Sequence, residues 1–316
     1  MLWAAILLLT AQCSLLTVAA QTPEPTDIVR IDTDLVNVSV SVFSRHSSPK
    51  SALERKDFAV FENGAPQEIS FFAAADTPFD LVLLLDLSAS TADKIKRIRA
   101  SSKRFVDAAR PGDRIAIVTF TADVKVVSRL TLDHEALKTS IDQIARPSGG
   151  TNFWDALRFV LEHIVGQSRV EGRRSAVVVM TDGVDNALPD VFGDGSVTTF
   201  AELLEVVRRS DTIVLPVYLD TVKEGRHYGI PMRAYALAQQ QLSELASESG
   251  NSVYQARSVK DLNRAYTQVI HDLNRVYSIW YRPANRLRDG SWRAVAVQLV
   301  GRPDLFVRAR RGYYAK

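Results

Sequence analysis

Leu81-Val-Leu-Leu-Leu85 is an unbroken apolar run, and it constrains the fold more than any other feature of this chain. A strand with one face in water alternates polar and apolar residues, whereas a run with no polar member needs cover on both faces. Parallel strands held between two layers of helices have that environment. Further strand-like segments follow at 114–119, 176–180 and 212–218. Stretches of helical period lie at 92–109, 134–145, 152–165, 200–209, 236–248 and 259–273. From Phe79 to about Val276, strands alternating with helices predict a doubly wound, mostly parallel α/β sheet of Rossmann-like type. One more segment, 124–128, follows its predecessor too closely for a crossover helix, so it is expected antiparallel at an edge.

Both ends of the chain read differently. Val36, Val38, Val40 and Val42 alternate with Asn37, Ser39 and Ser41, the pattern of a strand with one buried and one wet face. Phe58-Ala-Val-Phe-Glu62 and Gln67-Glu-Ile-Ser-Phe-Phe72 flank Asn63-Gly64, the dipeptide best suited to a tight hairpin turn. Near the other terminus, 277–281, 293–300 and 305–310 are again strand-like, with a turn at Arg288-Asp-Gly-Ser291. A few short strands hardly bury a face unaided. The expected organisation is therefore a discontinuous, sandwich-like β domain in which 26–74 pairs with 277–316 and 79–276 is inserted. Two separate small β units are the other arrangement open to these segments.

The first twenty residues are apolar, end in Val18-Ala19-Ala20 and precede the polar Gln21-Thr-Pro-Glu-Pro, which reads as a cleaved export signal over 1–20. No Lys or Arg precedes the run, and an uncleaved membrane anchor or a lipidated Cys13 are the alternatives. The expected location is exported, either periplasmic or secreted, with membrane contact only if the segment stays in place. Cys13 is the sole cysteine, so no intrachain disulfide can form and the fold must rest on its core. Apolar residues make up 46% and charged residues 24%, an ordinary globular composition. From Gln255 to Lys316 thirteen Lys and Arg face four Asp, while the whole chain carries only +3. That basic end reads as a solvated strand surface or a contact for an anionic partner; nucleic acid is not expected for an exported chain.

Ligands of open α/β sheets bind outside the carboxyl ends of the strands. There the sequence places Asp86-Leu-Ser-Ala-Ser90 after the first apolar run and Thr181-Asp182-Gly183 after a later one. Ser148-Gly-Gly-Thr151 opens a helix. Asp86, Ser88, Ser90, Thr151 and Asp182 are all hard oxygen donors, suited to Mg²⁺, with Mn²⁺ or Ca²⁺ admissible, and unsuited to copper or zinc. Taken singly, each piece has a plainer reading as a helix cap or a turn; all three in order at strand ends and a helix start point to a metal.

Asp86-Leu-Ser-Ala-Ser90, Thr151 and Asp182 resemble the complete metal-ion-dependent adhesion site of von Willebrand factor A domains, and the resemblance covers Phe79 to about Leu273. It implies a mostly parallel sheet with one antiparallel edge. Ser88 and Ser90 would be direct ligands, Thr151 a ligand in the ligand-bound state, and Asp86 and Asp182 would act largely through water and hydrogen bonds. An open metal position would take an acidic residue of a partner protein. Leu87, Ala89 and Thr91 depart from the family's commoner residues but spare the oxygen donors. Lys56-Asp-Phe-Ala-Val-Phe-Glu-Asn-Gly64, Tyr281-Arg-Pro283 and Arg311-Gly-Tyr-Tyr314 are similar to A-domain-related exported proteins described chiefly from acidobacteria.

The five histidines show no ligand spacing, and neither a phosphate loop nor a Gly-x-Ser-x-Gly elbow is present. The expected function is a binding module, not an enzyme. The competing readings are a Mg²⁺-dependent phosphohydrolase with Asp86 as nucleophile and a structural module stiffened by its metal. The loops 184–199 and 221–233 would choose the partner. Arg173 and Arg174 read as a solvated strand entry, and Trp154 as packing for its helix.

Overall fold

The computed structural model describes residues 35–44, 52–146, 148–168 and 173–315. The segment read as an export signal, Cys13 and residues 26–34 lie outside them.

The N-terminal strands are β1 (Val36–Ser44), β2 (Phe58–Glu62), β3 (Ala65–Gln67) and β4 (Ile69–Ala73). After β5 (Phe79–Asp86), a 3₁₀ turn over Ala89–Lys94 leads into α1 (Ile95–Ala108). Next come β6 (Arg114–Phe120), β7 (Val124–Thr131), α2 (His134–Asp142) and α3 (Phe153–Phe159), the last continued as a π-helical stretch over Val160–Val165. The chain goes on through β8 (Arg174–Thr181), α4 (Phe200–Arg209), β9 (Ile213–Leu219), the single turn α5 (Val222–Gly225) and α6 (Met232–Glu248). It ends with β10 (Tyr254–Ala256), α7 (Leu262–Leu273), β11 (Val276–Tyr281), β12 (Trp292–Leu299), β13 (Leu305–Ala309) and β14 (Gly312–Tyr314).

The central sheet runs β10-β9-β8-β5-β6-β7. Every pairing is parallel except that of β7, which lies antiparallel on β6 as its short connection requires. Successive side chains of β5 point to opposite faces. Leu81, Leu83 and Leu85 pack with Ile98 and Phe105 of α1 and Val269 of α7, while Val82 and Leu84 pack with Leu157 of α3, Leu203 of α4 and Leu242 of α6. The unbroken apolar run is thus two interleaved faces, each covered by helices. Strand order reverses across β5, since β6 lies on one side of it and β8 on the other, and this switch point sets the position of the site. The edge strand β10 had escaped the sequence reading: three residues, Tyr254-Gln-Ala256, are too few to show a period.

The chain ends form two four-stranded antiparallel sheets, β13-β1-β11-β4 and β14-β12-β2-β3. They share a core of Val38, Val40, Val42, Phe58, Val60, Tyr277, Ile279 and Val295. The Asn63-Gly64 turn has positive φ at both residues, 49° and 83°. Its second arm departs from the expected single strand. Only Ala65–Gln67 pairs with β2, and Ile69–Ala73 crosses to pair with β11 in the other sheet. The polar face of β1 is not wet either. Ser41 is buried, and Asn37 and Ser39 border a small gap with Ser210, Thr212, Ser249 and Arg310.

Arg173 and Arg174 also differ from the solvated pair expected. Arg173 pairs with the buried Asp80 at 2.6 Å. Arg174 is buried over the ring of Phe79 at 4.0 Å and donates to the carbonyls of Ala75, Thr77 and Val276. Burial pushes its guanidinium down to about 9. Three carbonyls converging from the β4–β5 connection and the start of β11 create this seat, and no local sequence pattern encodes it. Among the described residues no helix is long and apolar enough to cross a membrane.

Candidate functional site

Asp86 closes β5, the strand at the switch point, and Asp182 follows β8 beside it. Because the two strands are parallel neighbours, their carboxyl ends bring both aspartates to one rim. Neither side chain reaches bulk water, with Asp86 at 0% and Asp182 at 3% exposure. The backbone N–H of Ser88 donates to Asp86 Oδ1 at 2.9 Å, and the Thr181 hydroxyl donates to Oδ2 at 2.7 Å. On Asp182, the N–H of Val184 donates to Oδ1 at 3.0 Å, and the hydroxyls of Ser90 (3.2 Å) and Thr221 donate to Oδ2.

Ser88 and Ser90 sit on the curl between β5 and α1, with their Oγ atoms hydrogen-bonded at 3.2 Å. The loop carrying Thr151 is laced to that curl, since Ser148 N–H donates to Leu87 O at 3.0 Å and Ala89 N–H to Gly149 O at 3.2 Å. Asn186 ties the same loop to the other side. It accepts from Thr151 N–H through its side chain at 3.2 Å and donates its own N–H to Thr151 O at 2.9 Å. Gly150 leaves room for this bridge, because a Cβ there would stand 2.5 Å from Asn186 Nδ2.

All five residues singled out in the sequence are buried and gathered here. Ser88, Ser90, Thr151 and Asp182 line a cleft of about 390 Å³, and Asp86 lies behind Ser88. Burial pushes the Asp86 carboxyl up to about 7, with the facing charge of Asp182 adding to the rise and hydrogen bonds from Thr181 and Ser88 opposing it. Asp182 is raised too, chiefly by burial, against its hydrogen bonds and the nearby Lys94. No ion pair reaches either carboxylate among the described residues. Lys94 instead donates to Ser90 O at 3.2 Å and pairs with Glu224 at 2.8 Å.

Chemically, two buried carboxyl groups stand beside the hydroxyl-bearing Ser88, Ser90 and Thr151. Such a donor set fits a hard divalent ion. Each Asp86 oxygen accepts one hydrogen bond, from Ser88 N–H and from the Thr181 hydroxyl.

The sequence reading missed Thr181, Thr221 and Asn186. Thr221 lies two residues beyond β9, so the strand-end rule that located Asp182 applied to it as well. Nothing in the sequence distinguished Asn186. Asp185, fully buried, accepts from Trp154 N–H (3.0 Å), Ala187 N–H (2.8 Å), Ser196 N–H (3.0 Å) and the Ser196 hydroxyl (2.6 Å), and so holds the 184–199 loop. Trp154 packs on Phe200 with ring centres 5.9 Å apart.

Oxygen donors gathered at the switch point of a mostly parallel sheet define a class of ligand-binding α/β domain. Residues 80–268 match the model of the von Willebrand factor type A domain, and the chain belongs to that family. A curated relative, a UPF0353 protein of Nocardia farcinica (strain IFM 10152), is 25% identical over 209 residues, 59% of this chain and 60% of that protein. The chain thus spans less than two thirds of its length. Among solved structures, proximal thread matrix protein 1 from the mussel byssus is 20% identical over 63% of this chain and 48% of its own, with a TM-score of 0.47. The same protein is known with a zinc-occupied MIDAS motif. The von Willebrand factor domain of the type V pili tip protein Mfa5 from Porphyromonas gingivalis is 15% identical over 63% of this chain and 95% of its own, at 0.48.

Proposed function

We propose that Ser88, Ser90 and Thr151, backed by Asp86 and Asp182, hold one divalent cation, Mg²⁺ in the first place with Mn²⁺ or Ca²⁺ as substitutes, and that through it the chain binds an acidic residue of a partner protein. The observation that supports this reading is the pair of buried carboxyl groups beside Ser88, Ser90 and Thr151, with no cation of the described residues paired to them. When hydroxyls are the direct ligands and the carboxylates act from behind, the ion keeps positive charge toward the cleft, where an incoming carboxylate completes it. Domains of this family are in general interaction modules, in keeping with a binding role. The sequence of residues 1–20 supports export to the periplasm or the medium, and the motifs at both chain ends support membership in the exported acidobacterial group.

Titration calorimetry with Mg²⁺, Mn²⁺, Ca²⁺ and Zn²⁺ tests the first half. Asp86→Ala and Ser88→Ala should abolish Mg²⁺ binding and chelator-sensitive capture of partners from the exported fraction. If both variants bind Mg²⁺ and partner as the parent does, the reading is wrong.

A further inference from the structure

The cleft above the proposed metal seat has a polar floor and apolar lips. Phe192 stands at its mouth 84% exposed, and Tyr228 on the opposite loop is 54% exposed. Val191 and Ile230, both half-buried, continue the two lips inward. A single exposed ring is ordinary on a protein surface, whereas two aromatic rings and two aliphatic side chains lining one opening form a contiguous apolar patch of the kind that marks a binding site. Here the backbone around it is not loose. Asp185 accepts four hydrogen bonds from the loop that carries Phe192 and from α3, and Asp155 accepts the N–H groups of Val197 and Thr198 at 2.8 Å each. Tyr228 is tied across the mouth by its hydroxyl to Ala89 O at 3.5 Å.

On the loops around the cleft Lys94 pairs with Glu224 and Arg233 with Asp190. Both bases are engaged, so neither offers a free positive charge to a second acid of the partner. The opening is also larger than one carboxylate fills, at about 390 Å³.

We infer that the partner segment carries a single Asp or Glu with a large apolar or aromatic residue next to it, the carboxylate seated on the metal and the apolar side chain held between Phe192 and Tyr228. This inference rests on the carboxylate-binding reading above and adds the chemistry of the neighbouring residue. It assigns Phe192 and Tyr228 as specificity determinants that touch the partner and leave the metal alone.

The experiment is selection of a displayed random dodecapeptide library on the full chain in Mg²⁺, eluted with chelator, and in parallel on Phe192→Ser. The expected outcome is enrichment of Asp or Glu with Phe, Tyr, Trp, Leu or Ile beside it on the parent. On Phe192→Ser the acid should remain enriched and the apolar neighbour should not. A selected peptide should lose about tenfold in affinity to Phe192→Ser or Tyr228→Ser, as expected for one large apolar contact, with Mg²⁺ affinity unchanged by calorimetry. Acid enrichment with no apolar neighbour would overturn this inference and leave the carboxylate reading standing. Chelator-insensitive selection with no acid enrichment would overturn both.

Discussion

Raising the pH of the metal-free protein from 5 to 7.5 should weaken its fold, and adding Mg²⁺ should reverse the loss. Asp86 is fully buried and its carboxyl is held up at about 7, against about 3.9 in an unfolded chain. The folded state therefore binds the proton more tightly than the unfolded state. The stability this contributes is complete below about pH 4 and is lost as pH rises through 7. The full difference, roughly three pH units, corresponds to about 4 kcal/mol, of which more than half falls between pH 5 and 7.5. Asp182 is shifted the same way, so it adds to the effect. The assay is urea denaturation in chelator at both pH values, comparing the parent with Asp86→Asn, which keeps the shape and removes the titration. Groups remote from Asp86 cancel between the two proteins, and the difference reports Asp86 together with its coupling to Asp182. At pH 7.5, Mg²⁺ at about one hundred times its dissociation constant should return about 2.7 kcal/mol to the parent, and the gain should shrink at pH 5, where the ion must displace a proton. An Asp86→Asn protein with the same pH dependence as the parent would refute the argument.

Thr181→Val removes the hydroxyl that donates to Asp86 at 2.7 Å and accepts from Gly183 at 2.8 Å. Stability should fall by about 1–3 kcal/mol in denaturant titrations, and calorimetry should show weaker Mg²⁺ binding. Gly183→Ala should cost about 2 kcal/mol or more by the same measurement, because φ is 77° and the new Cβ would meet Leu242 Cδ1 at 2.8 Å. In the β sheets, Glu62 is buried with Arg293 at 3.3 Å and accepts from the hydroxyls of Tyr281 and Tyr313 at 2.8 Å each. Arg293→Leu should therefore lower the urea midpoint by an amount worth about 3–5 kcal/mol, and Glu62→Leu added to it should recover a large part of that loss.

Much of this protein follows from local pattern. An unbroken run such as Leu81–Leu85 can be covered on both faces only between helices, and the three residues separating β6 from β7 leave no room for a crossover. The strand-end rule then gave Asp86 and Asp182 a shared rim before any coordinates, because it depends only on strand direction and order. What tertiary structure alone decided are the contacts between segments distant in sequence. The path of β4 into the second sheet and the burial of Arg174 among carbonyls from the β4–β5 connection and the start of β11 carry no local period. The polar face of β1 is covered only because helix ends arrive there from residues 210–249. At the site, Ser88 and Ser90 were legible as donors. The strand-end rule reached Thr221 too, but the Asn186 bridge to Thr151 and the Asp185 clamp on the rim loop were not legible, since hydrogen bonds between loops depend on where three strand ends meet in space.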